Sequence, residues 1–347
     1  VNLITGVNGS GKTSILEGIH LLSFGRSFRS HKHKTYIQHE EEECVVFAQL
    51  KAKHNDFISM GLRRSRDGSI DVRIQGKKAQ SVVELAERLP VQLINPDAFR
   101  LLEGSPKIRR QFIDWGTFHF DNGFINAWRG WQKALKQRNS LLRRGKISTS
   151  LLMAFDQELI RLGDKVNQYR QNYTNQLTPI FLSVLAELSD SIKVRLVFSQ
   201  GWDATKSLTD AMASSCERDI DIGYTQIGPQ RADLRVKTDA GDALDTLSRG
   251  QQKLVVSALK IAQGKMLIEM GSPLVFLVDD LPAELDSQHR QKLCALLEAL
   301  NNQIFITSVE PDIMDYTWSD TTDVRHFEMK EGELSLSERR FAGELNE

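Results

Sequence analysis

The sequence predicts an α/β protein, a nucleotide-binding lobe built on a mixed sheet with flanking helices and carrying an inserted α-helical lobe. Three observations predict it. A glycine loop, Gly6-Val7-Asn8-Gly9-Ser10-Gly11-Lys12-Thr13, follows the apolar run Leu3-Ile4-Thr5 and opens into the helical pattern Ile15, Leu16, Ile19, Leu22. An apolar strand, Leu274-Val275-Phe276-Leu277-Val278, ends in the two carboxylates Asp279-Asp280. Between them lies a stretch dominated by helical periodicity. The expected division is residues 1–104 as the first part of the nucleotide lobe, 105–230 as the helical lobe, and 231–347 as the returning part.

The loop fits G-x-x-x-x-G-K-[ST] between strand and helix, the setting in which glycines let backbone N–H groups turn inward around phosphates and the helix N-terminus adds its positive end. Lys12 is expected to reach the β- and γ-phosphates of ATP, and the Thr13 hydroxyl to ligate the bridging Mg²⁺. The loop starts after only five residues, so a further strand or hairpin is expected ahead of Val1.

Composition narrows the class. With 45 basic and 45 acidic residues among 347, nucleic-acid binding has to come from a local patch. Cys44, Cys216 and Cys294 are far apart, form no C-x-x-C pair and leave an odd count, which argues against a disulfide framework or zinc site and for a reducing, cytoplasmic setting. No run of about 18 apolar residues would span a membrane, and the amino end lacks a signal peptide, so a soluble chain is expected.

After the first helix, Gly25-Arg26-Ser27-Phe28-Arg29-Ser30 is a basic loop in which Arg26 or Arg29 could touch phosphate or DNA, or simply be solvated. Val45–Lys51, Phe57–Arg63 and Ile70–Ile74 read as antiparallel strands, the last two joined by Asp67-Gly68. Ser81–Leu89 reads as a short helix and Val91–Ile94 as a buried strand ended by Asn95-Pro96. From Ser105 to Lys146, ten Lys or Arg face only Asp114 and Asp121, with tryptophans and phenylalanines interleaved. On a helical wheel Phe124, Trp128, Trp131, Leu135 and Leu142 fall within roughly 60°, a core stripe, while Arg129, Lys133, Lys136, Arg143 and Arg144 share an adjacent arc of roughly 100°. These five cations are the DNA candidates, with ordinary solvated surface as the even alternative. A long helix is expected from Ser150 to about Leu188, then a strand at Lys193–Phe198, a helix at Leu208–Arg218, and a strand at Ala232–Val236 returning to the main sheet.

Leu247-Ser248-Arg249-Gly250-Gln251-Gln252-Lys253 precedes a helical run and resembles the L-S-G-G-Q signature of ATP-binding-cassette (ABC) ATPases, although serine is also an ordinary helix N-cap. The strand ending in Asp279-Asp280 has the Walker B pattern: Asp279 is expected beside Mg²⁺, and Asp280 where cassette ATPases carry the glutamate that polarises the attacking water. One methylene shorter, Asp280 implies slow hydrolysis. Leu285-Asp286 matches the D-loop, and the strand Ile304–Ser308 places Thr307 or Ser308 where related families have a switch histidine. Together these motifs describe an ABC-type P-loop ATPase head. In that class the signature serine acts in trans on the partner's γ-phosphate, so Ser248, Arg249, Gly250, Gln251 and Asp286 are expected at the interface of an ATP-dependent homodimer.

At this point the chain resembles the RecF family of recombination mediator ATPases. The resemblance rests on Pro96-Asp97, Leu101-Leu102, Gly104-Ser105-Pro106, Arg109-Arg110, Phe112-Ile113-Asp114, Asp279-Asp280 and Ala283-Glu284-Leu285-Asp286, and covers almost the whole chain. A departure is Gln230, where the family often has histidine. The resemblance implies a weak, DNA-stimulated ATPase, DNA binding at gapped single-/double-strand junctions, partnership with RecR and RecO, loading of RecA, and a part in replication recovery and the SOS response. The alternative is an SMC/Rad50-like head, which needs long heptad arms or a C-x-x-C hook, and neither is in this sequence. A transporter cassette needs a membrane partner, and a metabolic P-loop kinase would lack the signature.

Overall fold

The computed structural model describes residues 1–51, 56–144, 149–280, 285–309 and 318–337. Lys146, Ala283 and Glu284, which figure in the sequence reading, lie outside them. The chain divides into two compact units, Val1–Ala98 with Leu267–Glu347, and Phe99–Met266.

The first unit begins with β1 (Asn2–Thr5) and α1 (Lys12–Phe24), followed by the antiparallel strands β2 (Glu43–Lys51), β3 (Phe57–Ser65), β4 (Ile70–Ile74) and β5 (Lys77–Lys78), then α2 (Val83–Arg88) and β6 (Val91–Ile94). β2 alternates exposed and half-buried residues along its length, as a strand with one solvated face must. Leu16 and Leu22 of α1 pack with Met60, Leu62, Val72 and Ile74 of the antiparallel sheet and with Leu85, Leu89, Val91 and Leu277. Each fully buried leucine contributes about 2 kcal/mol, so this cluster ties α1 firmly between two sheets.

The second unit holds α3 (Arg100–Glu103), α4 (Pro106–Phe120), α5 (Phe124–Leu142), α6 (Thr149–Leu188), β7 (Arg195–Ser199), α7 (Leu208–Ile222), β8 (Asp233–Thr238), β9 (Gly241–Asp242), α8 (Ala243–Thr246) and α9 (Arg249–Glu269), the last of which ends in the first unit. The aromatic stripe of α5 is core: Phe124, Ala127, Trp131 and Ala134 pack with Leu159, Leu162 and Val166 of α6 and with Leu208 and Met212 of α7. Among the described residues, three cations of this basic segment bond inward, Arg138 buried and Arg109 and Arg110 half-buried. Arg138 is fully buried against Asp156 and Asp219, Arg109 forks onto both oxygens of Asp233, and Arg110 donates to Ala232 O at 2.8 Å.

Two expectations are corrected here. The strand near Ala232–Val236 does not return to the main sheet; β8 pairs antiparallel with β7 and β9 in a separate three-stranded sheet. The segment from 231 to Met266 packs within the second unit, and the first boundary falls at Ala98 and not at 104. The physical reason is pairing and burial: β8 finds its partner in β7, and Gln263 of α9 donates to Phe112 O (3.0 Å) and Tyr173 Oη (2.6 Å) inside the helical lobe.

The chain completes the first unit with β10 (Val275–Val278), α10 (Ser287–Ala299), β11 (Gln303–Ser308), β12 (Arg325–Lys330) and β13 (Glu333–Leu336). The six-stranded sheet runs β13-β12-β1-β11-β10-β6, parallel except for β13. Of the interior strands, β10 is wholly apolar and β1 and β11 keep apolar centres, as strands covered on both faces must, whereas β12 carries Arg325, His326, Glu328 and Lys330.

Candidate phosphate and metal site

The loop after β1 turns into α1 through Gly11, whose φ of 112° belongs to the left-handed region that glycine enters without a Cβ clash. Gly6 is constrained by approach: a Cβ there would lie 2.4 Å from the Met329 carbonyl oxygen of β12. The loop is therefore pressed against the sheet by contacts that only glycine allows. Val7, Asn8 and Gly9 stay exposed at its tip.

Lys12 is buried, and its ammonium donates to Gly6 O at 2.7 Å and Val7 O at 2.9 Å, which folds the side chain back over the loop. Burial pulls its pKa below the usual lysine value, while the carboxylates of Asp280 and Asp279 pull it back up. Thr13 donates from Oγ1 to Asp279 Oδ1 at 3.0 Å, and Thr307 of β11 donates to the same oxygen at 2.8 Å. The Thr307 hydroxyl in turn accepts the Asp280 N–H at 2.9 Å. The first unit thus brings Lys12, Thr13, Asp279 and Asp280 to one place. Thr307 joins them; the sequence pointed to that strand end only through an expected switch position.

Among the described residues no group of three or more His, Cys, Asp or Glu gathers as a metal cage. Mg²⁺ does not need one, since it favours oxygen donors and is held by one or two carboxylates together with waters and phosphates. A hydroxyl bonded to a carboxylate, with an ammonium that feels the charge of Asp279 and Asp280, fits that chemistry.

The signature segment lies in the second unit. Ser248, Arg249 and Gly250 are exposed at the start of α9. Ser248 Oγ accepts the Gln251 N–H at 3.3 Å while Gln251 Oε1 accepts the Ser248 N–H at 2.9 Å, a reciprocal capping box. Gln252 fixes the approach to the helix by donating to Leu244 O and Leu247 O, both at 2.9 Å, and Arg249 pairs with Glu103 of α3. Back in the first unit, Asp286 caps α10 by accepting the His289 N–H at 3.0 Å. That bond and the ring Nδ1 at 2.6 Å hold its carboxyl below the usual range. Of the DNA candidates, Arg129, Lys133, Lys136, Arg143 and Arg144 are all exposed. Gln230 donates from Nε2 to Ile227 O at 3.0 Å and to Thr225 O at 3.3 Å, which holds the turn before β8.

The sheet order, the glycine loop at the end of β1 and the carboxylates at the end of β10 define an ABC-type P-loop ATPase head with a helical lobe. The family described as RecF/RecN/SMC N terminal domain matches residues 1–331. The DNA replication and repair protein RecF of Marinomonas sp. (strain MWYL1) is 75% identical over 336 residues, 97% of this chain and 91% of that protein. RecF of Pseudomonas paraeruginosa (strain DSM 24068 / PA7) is 49% identical over 336 residues, 96% of this chain and 91% of that protein. A solved structure of the recombination mediator protein RecF-ATP in the RecFOR pathway superposes with a TM-score of 0.85 at 25% identity, covering 97% of this chain and 91% of that one. An Smc head domain from Pyrococcus furiosus shares the fold, with a TM-score of 0.58 at 17% identity over 97% of this chain and 89% of its own. The chain belongs to the RecF family of DNA replication and repair proteins.

Among the described residues no helix is long and apolar enough to cross a membrane. In the helical lobe α5 packs on α6 around a shared core.

Proposed function

We propose that this chain is an ATP-driven DNA-binding switch of recombinational repair, acting in the cytoplasm, in which two copies close on two ATP molecules and hydrolysis reopens them. The observation that carries the reading is the convergence of the Thr13 hydroxyl on Asp279, with Lys12 folded over the same loop. The loop N–H groups and the α1 N-terminus bind the phosphates, and Lys12 swings from its carbonyls to the β- and γ-oxygens. Thr13 and Asp279 hold Mg²⁺, which when bound offsets the charge on the phosphates. Asp280 orients the attacking water, and its short side chain makes turnover slow.

Ser248, Arg249 and Gly250 are exposed, Gln251 is half-buried, and a helix N-terminus backs them, which suits contact with the triphosphate held by a partner copy. Asp286 is assigned to the same contact by the D-loop pattern Leu285-Asp286. The exposed cations of α5 bind DNA backbone, which stimulates hydrolysis. Gapped single-/double-strand junctions as the preferred DNA, RecR and RecO as partners, RecA loading and SOS induction are supported by membership of the RecF family.

The test is binding of gapped, duplex and single-stranded DNA with ATP, ADP or no nucleotide. ATP-dependent binding that favours the gapped substrate is expected; binding indifferent to nucleotide would sink the switch.

A further inference from the structure

We infer that Thr307 is a positioning residue for hydrolysis, whose single hydroxyl sets the metal-holding Asp279 and the water-orienting Asp280 in register with each other. The inference rests on the ATPase reading above. Thr307 lies near the end of β11, is 1% exposed, and pairs with Ile4 of β1 on one side. On the other side β11 and β10 run in parallel register to Val278↔Ile306, so the carboxylate pair begins one step beyond the last paired residues.

The hydroxyl is used in both senses. It donates to Asp279 Oδ1 at 2.8 Å, joining Thr13 on that oxygen, and accepts the Asp280 N–H at 2.9 Å. Asp280 has φ 52°, a left-handed conformation sparsely populated by non-glycine residues, which persists only when surrounding contacts hold it. The bond from its N–H to Thr307 is such a contact. Removing the hydroxyl leaves Asp279 Oδ1 held by Thr13 alone and lets Asp280 relax its backbone, so both carboxylates lose a shared restraint. The loop that grips the phosphates, Gly6 to Lys12, makes no use of this hydroxyl. Loss of Thr307 should therefore act on metal placement and turnover more than on nucleotide affinity.

Valine keeps the β-branched shape and deletes the hydroxyl; serine keeps the hydroxyl and deletes the methyl. In Thr307→Val, kcat is expected to fall roughly tenfold to a hundredfold with KM for ATP changed less than about threefold, the scale of lost outer-sphere support to a metal site. The Mg²⁺ concentration that half-saturates binding of a non-hydrolysable ATP analogue, read by calorimetry without turnover, is expected to rise about tenfold. Thr307→Ser restores both readouts. Should Thr307→Val not fold, as read by thermal melting, Thr307→Ala carries the same comparison with Thr307→Ser. The inference is overturned if the hydroxyl-free variant keeps the parent Mg²⁺ dependence and kcat, or if Thr307→Ser is as impaired as Thr307→Val. A parent protein that hydrolyses no ATP overturns instead the reading on which this rests.

Discussion

Thr13 donates its hydroxyl to Asp279 Oδ1 across 3.0 Å although 266 positions separate the two in the chain. The bond ties the first turn of α1 to the end of β10, and it predicts how loss of charge alone should behave. In Asp279→Asn the amide oxygen can still accept both threonine hydroxyls, so the fold should persist while Mg²⁺-dependent hydrolysis falls about a hundredfold. Asp280→Asn should instead leave ATP bound in a long-lived dimer. Phosphate release and light scattering read the two outcomes, and parent-like turnover in either variant would reassign that carboxylate.

Ser248→Arg should spare ATP binding and prevent closure of the dimer. Its cost to folding is small, because breaking the capping box with Gln251 removes about 1 kcal/mol from a unit whose stability is on the order of 5–15 kcal/mol. The exposed face there has room for the new side chain, since even a Cβ on Gly250 would meet nothing within 4 Å. Lys12→Ala should lose ATP-induced dimerisation for the opposite reason, a weakened pocket. Mixing the two variants should recover part of the ATPase rate, because the heterodimer holds one site with both native residues. Normal dimerisation and hydrolysis by Ser248→Arg alone would rule out a trans-acting signature.

Reversing charge on the exposed face of α5, with Arg129→Glu, Lys133→Glu and Lys136→Glu together, should weaken DNA binding whatever the sequence. The slope of log affinity against log salt should shrink by about 1 for each phosphate that is no longer neutralised. Fluorescence anisotropy over a salt series reads the slope. An unchanged slope means these cations are solvated surface.

Arg138 predicts a stability effect without a functional one. Its guanidinium is fully buried, bonded to Asp219 at 2.7 Å and Thr225 at 2.8 Å as well as to Asp156 at 2.5 Å. Arg138→Ala strands a carboxylate with no exposure and should cost about 3–5 kcal/mol. Urea denaturation followed by circular dichroism measures it; a loss below about 1 kcal/mol would mean that water or a neighbour satisfies Asp219.

His119 predicts acid sensitivity in the helical lobe. Burial between Trp115 and Phe118 lowers its pKa to about 4, and its Nε2 is buried without a hydrogen-bond partner among the described residues. The unfolded chain, titrating near 6.5, binds the proton first. Stability from this group is therefore complete above about pH 6.5 and is lost as pH falls towards 4, by on the order of 3 kcal/mol in all. His119→Phe should flatten the fall in melting temperature between pH 7 and pH 5. An equally steep fall in that variant would place the sensitivity elsewhere.

Much of the site was legible in the sequence because it is local. Gly6 to Thr13 must be glycine-rich wherever a backbone closes on phosphate, and an apolar run ending in Asp279-Asp280 can hardly be anything but a buried strand with carboxylates at its rim. The α5 stripe was equally readable, since a 3.6-residue period separates Phe124 and Trp131 from Arg129 and Lys133 regardless of what covers the apolar side. Composition misled where it counted cations: Arg109, Arg110 and Arg138 look like Lys133 in a charge tally, but each has an internal acceptor waiting for it.

Pairing and convergence were decided by the tertiary structure alone. A strand's sequence states how it alternates but not which edge it joins, so β8 could be read as a strand and still be assigned to the wrong sheet. The same holds for Thr307, one hydroxyl among many until the parallel register of β11 with β10 sets it beside Asp279 and under the Asp280 N–H. Hydrogen bonds reach about 3 Å, and only the packed sheet brings groups so distant in the chain within that range.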